Sequence, residues 1–118
     1  MLEKPVVAVT MGDPCGVGPE VVAKALGRPD VLITCRPLVI GNTEVFRNAL
    51  VLAGATVCVR EVARPEEACF SAGIVNVLDS HNMHPNDLTI GKVSAALGKA
   101  SVEWVLEAGR LAMNRRVD

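Results

Sequence analysis

A glycine-rich stretch near the amino terminus is the segment whose residue types best suit contact with a ligand. Gly12, Gly16 and Gly18 lie between the apolar run Val6–Val9 and Pro19. A short β-branched run is typical of a buried strand, and proline is typical of the first helical turn. The stretch therefore predicts a strand, a tight loop and a helix. Glycines in such a loop allow a ligand or another backbone segment to come close.

Two interpretations of this loop stay open. It is either a connection shaped only by packing, or a ligand-facing loop at the carboxyl end of a strand, where open α/β sheets place their sites. The spacing G-x-x-x-G-x-G is not the dinucleotide fingerprint, and no Gly-Lys-Ser/Thr follows. Asp13 makes the loop a poor phosphate cradle. For the ligand-facing case we expect a cleft-lining, cofactor-contacting loop formed by Gly12, Asp13, Gly16 and Gly18.

The other side chains that could act in catalysis or metal binding have no recognisable partner residues in the sequence. Cys15 lies in the loop, near a predicted helix start, but no base is identifiable nearby, so we predict that it is not a nucleophile. His81 and His84 are three residues apart, yet Pro85 predicts a loop there and no third ligand has a recognisable spacing. We therefore expect solvated loop histidines. The sequence assigns no catalytic residue and no metal ligand.

Composition limits the class of protein. The 118 residues suffice for one domain over 1–118 without an internal boundary. A formal net charge of −1 and only three aromatic residues give no basis for nucleic-acid binding. No run approaches membrane-spanning length, and no signal peptide precedes the first strand. Four cysteines without a C-x-x-C pair favour a reducing, cytoplasmic setting.

The remaining periodicity predicts alternating strands and helices. Strands are expected at Leu38–Ile40, 55–62 and 73–79, and a helix over 44–53 capped by Asn42-Thr43. Residues 31–35 fit either an extended segment or a helical turn. This order predicts a layered αβα sheet of the α/β class.

The strongest predicted helix covers 92–115. We expect its apolar face to carry Val102, Val105, Leu106, Ala112 and Met113, and its polar face Lys99, Glu103, Glu107, Arg110 and Asn114. Leu97, Trp104 and Leu111 recur every seventh residue and widen the apolar side.

Residues 9–20, read as V-T-M-G-D-P-C-G-V-G-P-E, resemble the opening of the 4-hydroxythreonine-4-phosphate dehydrogenase family, whose usual wording is T-M-G-D-P-A-G-I-G-P-E. The resemblance continues through Cys35–Gly41 and through Gly91-Lys92-Val93-Ser94 to Gly98-Lys99-Ala100. It implies the fold of the isocitrate and isopropylmalate dehydrogenases. It also implies an NAD-dependent oxidation and decarboxylation of a small phosphorylated hydroxy acid, with a divalent metal and a homodimer.

The resemblance also implies where the chemistry lies. The family's metal histidines and substrate-phosphate ligands fall beyond Asp118, and His81 and His84 match none of them. We therefore expect an amino-terminal segment, inactive alone, of an enzyme that acts on 4-hydroxythreonine-4-phosphate in pyridoxal phosphate synthesis. One alternative is the 4-phospho-D-threonate/erythronate branch of the family. Another is a non-catalytic binding or dimerisation module, which would use a partly exposed Leu97–Trp104–Leu111 side of the last helix.

Overall fold

The computed structural model describes residues 3–84 and 95–118. Its helices and strands are, in order, β1 (Val6–Thr10), α1 (Gly18–Leu26), α2 (Pro29–Thr34), β2 (Arg36–Ile40), α3 (Thr43–Leu52), β3 (Cys58–Val62), β4 (Ile74–Leu78) and α4 (Ala95–Met113), with a single 3₁₀ turn over Pro65–Glu67 before β4. Every predicted strand is present. Residues 31–35, left open above, fall mainly in the short helix α2. The predicted start of the last helix, residues 92–94, lies outside the described residues.

The four strands form one parallel sheet in the order β1-β2-β4-β3. Val9 lies opposite Val39, which in turn lies opposite Val77, so apolar residues align across the centre of the sheet. Helices α1 and α3 pack on each other, and α4 packs on β1 and β2. Right-handed crossovers put α1 and α3 on one face and α4 on the other. The predicted α/β class is confirmed.

Local sequence explains where the helices begin. Asn42 accepts a hydrogen bond from the Val45 N–H through its side-chain oxygen (3.0 Å), as its position before α3 predicts. Pro19 lies in the first turn of α1, where its missing N–H is not needed. These two starts place the amino ends of α1 and α3 next to the carboxyl ends of β1 and β2.

Only part of the predicted apolar side of α4 is buried. Val102, Val105 and Leu106 are exposed, whereas a stripe opposite to them is buried; this inner stripe consists of Leu97, Ala100, Trp104 and Leu111. Both sides of α4 are apolar, so the period alone could not tell which side faces the sheet. The bulkier inner stripe is buried because it removes more apolar area from water. The premise of a partly exposed Leu97–Trp104–Leu111 side is therefore wrong. Neither α4 nor another helix in the described ranges is long and apolar enough to cross a membrane.

The residues after α4 return to the edge of the sheet. Asp118 donates its N–H to the Val6 carbonyl (2.8 Å) and accepts the Val6 N–H through Oδ2 (2.9 Å). Arg116 makes two 3.0 Å hydrogen bonds to Glu66, and these lower the pKa of the Glu66 carboxyl to about 2. This segment is thereby fixed beside β1.

Candidate functional site

Three loops meet at the carboxyl edge of the sheet. The glycine loop follows β1, Gly41–Thr43 follows β2, and Asp79–His81 follows β4. Backbone hydrogen bonds join each loop to the end of the neighbouring strand. The Met11 N–H donates to the Ile40 carbonyl (3.0 Å), and the Gly41 N–H donates to the Leu78 carbonyl (3.1 Å). In parallel α/β sheets this edge is where ligands bind.

The glycine loop turns sharply and packs against its own strand. Gly12 has φ +82°, a conformation that glycine adopts without the penalty a side chain brings. A Cβ on Gly18 would lie 2.6 Å from the Met11 carbonyl oxygen and 3.3 Å from the Gly12 Cα. The turn itself therefore requires glycine at both positions. At Gly18, the atoms that come close are backbone atoms of Met11 and Gly12.

The tip of the loop is a turn closed by Asp13. Its Oδ1 accepts the Cys15 N–H (2.9 Å) and its carbonyl accepts the Gly16 N–H (3.0 Å). The Cys15 side chain is buried. Asp13 and Gly16 are exposed, and Asp13 Oδ2 makes no hydrogen bond within residues 3–84 and 95–118. Of the four predicted cleft residues, these two are the ones free to meet a ligand.

The groove beside the loop is small. It lies between the start of α1 and α3, with a volume of about 130 Å³, and Gly16, Pro19 and Ala49 are among its lining residues. Ligand pockets usually span about 300–1,000 Å³. The groove alone is therefore too small for a dinucleotide, so a complete site needs a second wall.

A polar network that sequence analysis missed lies at the same edge. Asp79 is buried, and its Oδ2 accepts the Thr43 N–H at the start of α3 (2.9 Å), while Oδ1 accepts the His81 N–H (2.8 Å). A carboxylate at a helix amino terminus is favoured by the helix dipole. Asp79 thus ties the loop after β4 to α3. The signal was present in the sequence, because Asp79 directly follows a core strand.

His81 lies beside this network in a loop, and its side chain is 71% exposed, as predicted for a solvated loop residue. Its Nε2 lies 3.4 Å from Glu61 Oε2 and its Nδ1 lies 4.0 Å from Asp79 Oδ1. Glu61 Oε1 also accepts the Thr43 hydroxyl proton (2.7 Å). Glu61, Asp79 and His81 have potential ligand atoms within 4.8 Å of one another, a donor set that suits a divalent cation. Asp79 and Glu61 are held by hydrogen bonds from Thr43 and from the His81 N–H, which explain the cluster without an ion, and we assign no metal to it.

Replacing Asp79 by alanine is expected to lower the free energy of unfolding by about 2–3 kcal/mol, since the buried Thr43 N–H and the partly buried His81 N–H lose a charged acceptor. Chemical denaturation followed by circular dichroism measures this change. Glu61→Ala is the matched control, because the Glu61 side chain is largely exposed and its contacts are worth about 1 kcal/mol or less. Equal losses in the two variants would show that Asp79 does not anchor α3.

The chain is similar to known proteins in both sequence and structure. No model of a protein family matches the chain. The chain is 38% identical over 114 residues to the D-threonate 4-phosphate dehydrogenase of Cupriavidus necator, covering 97% of this chain and 34% of that protein. It therefore spans about a third of the length of the curated relatives that it matches.

Solved structures give the same result. The 4-hydroxythreonine-4-phosphate dehydrogenase of Burkholderia phymatum matches with a TM-score of 0.92 and 35% identity, over 99% of this chain and 35% of that chain. The enzyme of that name from Klebsiella pneumoniae matches with a TM-score of 0.83 and 32% identity, over 97% of this chain and 34% of that chain. The predicted resemblance is confirmed. Over nearly its whole length, the chain resembles the amino-terminal third of the 4-hydroxythreonine-4-phosphate and D-threonate 4-phosphate dehydrogenases.

Proposed function

We propose that this chain forms one wall of the active-site cleft of an NAD-dependent dehydrogenase that oxidises a small 4-phosphorylated hydroxy acid. The observation that carries the proposal is the exposed tip of the glycine loop, Asp13 and Gly16, at the carboxyl edge of a sheet. That sheet belongs to a fold that superimposes on a dehydrogenase with a TM-score of 0.92. The catalytic residues of the proposed enzyme lie outside this chain.

The loop tip suits part of a dinucleotide. Gly16 has no side chain, so a flat ring or a sugar can approach its backbone, and Asp13 Oδ2 is free within the described residues to accept a hydrogen bond from a hydroxyl. The same carboxylate repels phosphate, and no cation occurs in the loop before Lys24. We therefore propose that the loop contacts a portion of NAD away from its phosphates. NAD would accept the hydride removed from the substrate.

The divalent metal of the proposed enzyme is not assigned to residues of this chain. Glu61, Asp79 and His81 have suitable donor types, but both Asp79 oxygens and one Glu61 oxygen already accept hydrogen bonds. A homodimer and a cytoplasmic setting complete the proposal. The setting is supported by Cys15, Cys35, Cys58 and Cys69, which are free thiols in the structure.

Two substrates are proposed in order of support. The relative at 38% identity is named for D-threonate 4-phosphate, which makes this the first candidate. The solved structures are named for 4-hydroxythreonine-4-phosphate, which makes that the second. The two molecules differ at C2, where one carries a hydroxyl and the other an ammonium group. A site that selects one of these substrates must therefore distinguish a neutral hydroxyl from a positively charged ammonium group at C2.

A chimera tests the proposal. The 118 residues replace the aligned amino-terminal third of the Cupriavidus necator enzyme, and NADH formation is followed with NAD, a divalent metal and each substrate. We expect NADH formation with D-threonate 4-phosphate, the substrate for which the enzyme that supplies the other two thirds is named. A folded chimera without activity toward either substrate would contradict the proposal.

A further inference from the structure

A cavity lies at the amino edge of the sheet, the edge opposite to the three loops of the candidate site. Lys4 comes before β1, Cys35 before β2 and Gly73 before β4, and all three line this cavity. Lys4 and Gly73 are exposed, so the cavity is open to solvent. Its volume is about 210 Å³. Because a cavity of about 150 Å³ suffices for benzene, this one has room for a benzene-sized ring with one further small group.

The lining has an apolar part and a cationic part. Leu26, Phe70 and Ile74 contribute to the apolar part. Lys4 and Arg36 supply the cationic part, and none of the lining residues within the described ranges is acidic. A mainly apolar pocket with a few charged groups fixes the orientation of a ligand through those groups. This lining therefore suits a molecule with an apolar body and a negative charge at one end.

The guanidinium of Arg36 is held in place by its neighbours. Its Nε donates to the Lys4 carbonyl (2.7 Å), and its Cζ lies 5.4 Å from the centre of the Phe70 ring, a cation–π distance. The Arg36 side chain is only 27% exposed. Within the described residues, its Nη1 makes no hydrogen bond. A guanidinium fixed in this way can donate two parallel hydrogen bonds, from Nη1 and Nη2, to a carboxylate.

Glu3 is the carboxylate that a ligand would displace from Arg36. Its Oε2 lies 3.5 Å from Arg36 Nη2, which is longer than a good hydrogen bond, and its side chain is 84% exposed. An exposed ion pair of this kind contributes little to stability. The second cation, Lys4, donates through Nζ to the Leu32 carbonyl (2.7 Å), an acceptor without formal charge. The two positive charges beside the cavity are therefore only partly balanced.

We propose that this cavity binds a small monocarboxylate with a compact apolar body. The carboxylate bonds to the Arg36 guanidinium beside Lys4, and the body packs against Leu26, Phe70 and Ile74. A phosphate ester is disfavoured, because it carries nearly two charges and three acceptor oxygens and would need more donors than this mainly apolar lining offers. The proposal is independent of the proposed dehydrogenase activity.

Titration of the 118-residue chain with benzoate, followed in two-dimensional amide NMR spectra, tests the proposal. Benzamide has the same ring without the charge, and acetate has the charge without the ring. We expect benzoate to shift the Cys35 and Gly73 amides saturably, with a Kd of about 1 mM or below. Benzamide and acetate should each bind about ten-fold or more weakly, since one lacks the charged hydrogen bonds and the other the apolar contact.

Two substitutions should change the benzoate Kd in opposite directions. Arg36→Gln removes the guanidinium and should raise the Kd about ten-fold or more. Glu3→Gln removes the competing carboxylate and should lower the Kd about two-fold or more. Arg47→Gln is the matched control, because Arg47 is an exposed cation of α3 that does not line the cavity, and the Kd should stay unchanged.

Equal affinities for benzoate and benzamide, or no saturable shift with benzoate, would overturn the proposal. An equal loss of affinity in Arg36→Gln and Arg47→Gln would overturn it too, since it would indicate a general attraction of anions. If Arg36→Gln does not fold, Glu3→Gln and Lys4→Gln decide, because both residues are exposed and tolerate substitution. An unchanged Kd in both of these variants would contradict the proposal, whereas tighter binding in the first and weaker binding in the second would support it.

Discussion

Gly18→Val is expected to prevent the chain from folding cooperatively. A Cβ at this position lies 2.6 Å from the Met11 carbonyl oxygen and 3.3 Å from the Gly12 Cα, and both neighbours are backbone atoms. Met11 in turn is held to β2 by its N–H bond to Ile40 (3.0 Å), so it cannot move without opening the end of the sheet. Overpacking of side chains alone costs about 1–3 kcal/mol, and a backbone clash costs more.

Domains have about 5–15 kcal/mol of stability in total, so this loss removes much or all of it. Urea denaturation followed by circular dichroism measures the change. Gly16→Val is the matched control, because a Cβ there meets Asp13 at 3.5 Å, an ordinary contact. We expect it to change stability by about 1 kcal/mol or less. Gly18→Val with the stability of Gly16→Val would show that the loop can relax around the strand.

Trp104→Ala is expected to cost about 3–5 kcal/mol, the range for removing a fully buried aromatic side chain. Trp104 is 0% exposed, belongs to the inner stripe of α4 and joins the core formed by both faces of the sheet. Its indole N–H also donates to the Asn82 side-chain oxygen (2.9 Å), and Asn82 lies beside the polar network after β4. Losing Trp104 should therefore loosen α4 together with Asn82 and the residues next to it after β4.

The unfolding midpoint in urea and the hydrogen exchange of α4 amides report this loss. Val105→Ala is the control on the same helix, since Val105 is exposed and its truncation leaves no cavity. Its effect should stay within about 0.5 kcal/mol in the isolated chain. Should Trp104→Ala and Val105→Ala prove equally mild, α4 would be bound to the sheet by other contacts than its inner stripe.

Much of the fold could be predicted because local signals agreed with it. The β-branched runs gave the strands, and Asn42 and Pro19 marked the starts of α3 and α1 correctly. Sequence could not orient α4, because Val105 and Trp104 lie on different sides that are both apolar. The larger apolar area of the Trp104 side and the acceptor that Asn82 supplies to the indole N–H favour burial of that side.

The candidate site was predicted less completely. The glycine loop was located, but its four residues separate into Gly12 and Gly18, which the turn requires, and Asp13 and Gly16, which stay exposed. The network of Asp79 with Thr43 joins positions 36 residues apart, and such a contact has no local pattern. The contact of this loop with NAD stays a prediction.

NADH formation by the isolated chain and by the chimera tests the central claim most directly. Each is assayed with NAD, a divalent metal and D-threonate 4-phosphate at equal concentrations. The proposed division of labour, a cleft wall here and the chemistry elsewhere, predicts substrate-dependent NADH from the chimera and none from the 118-residue chain alone. It also predicts that Gly16→Val slows the chimera without unfolding it. Steady NADH production by the chain on its own would contradict the account.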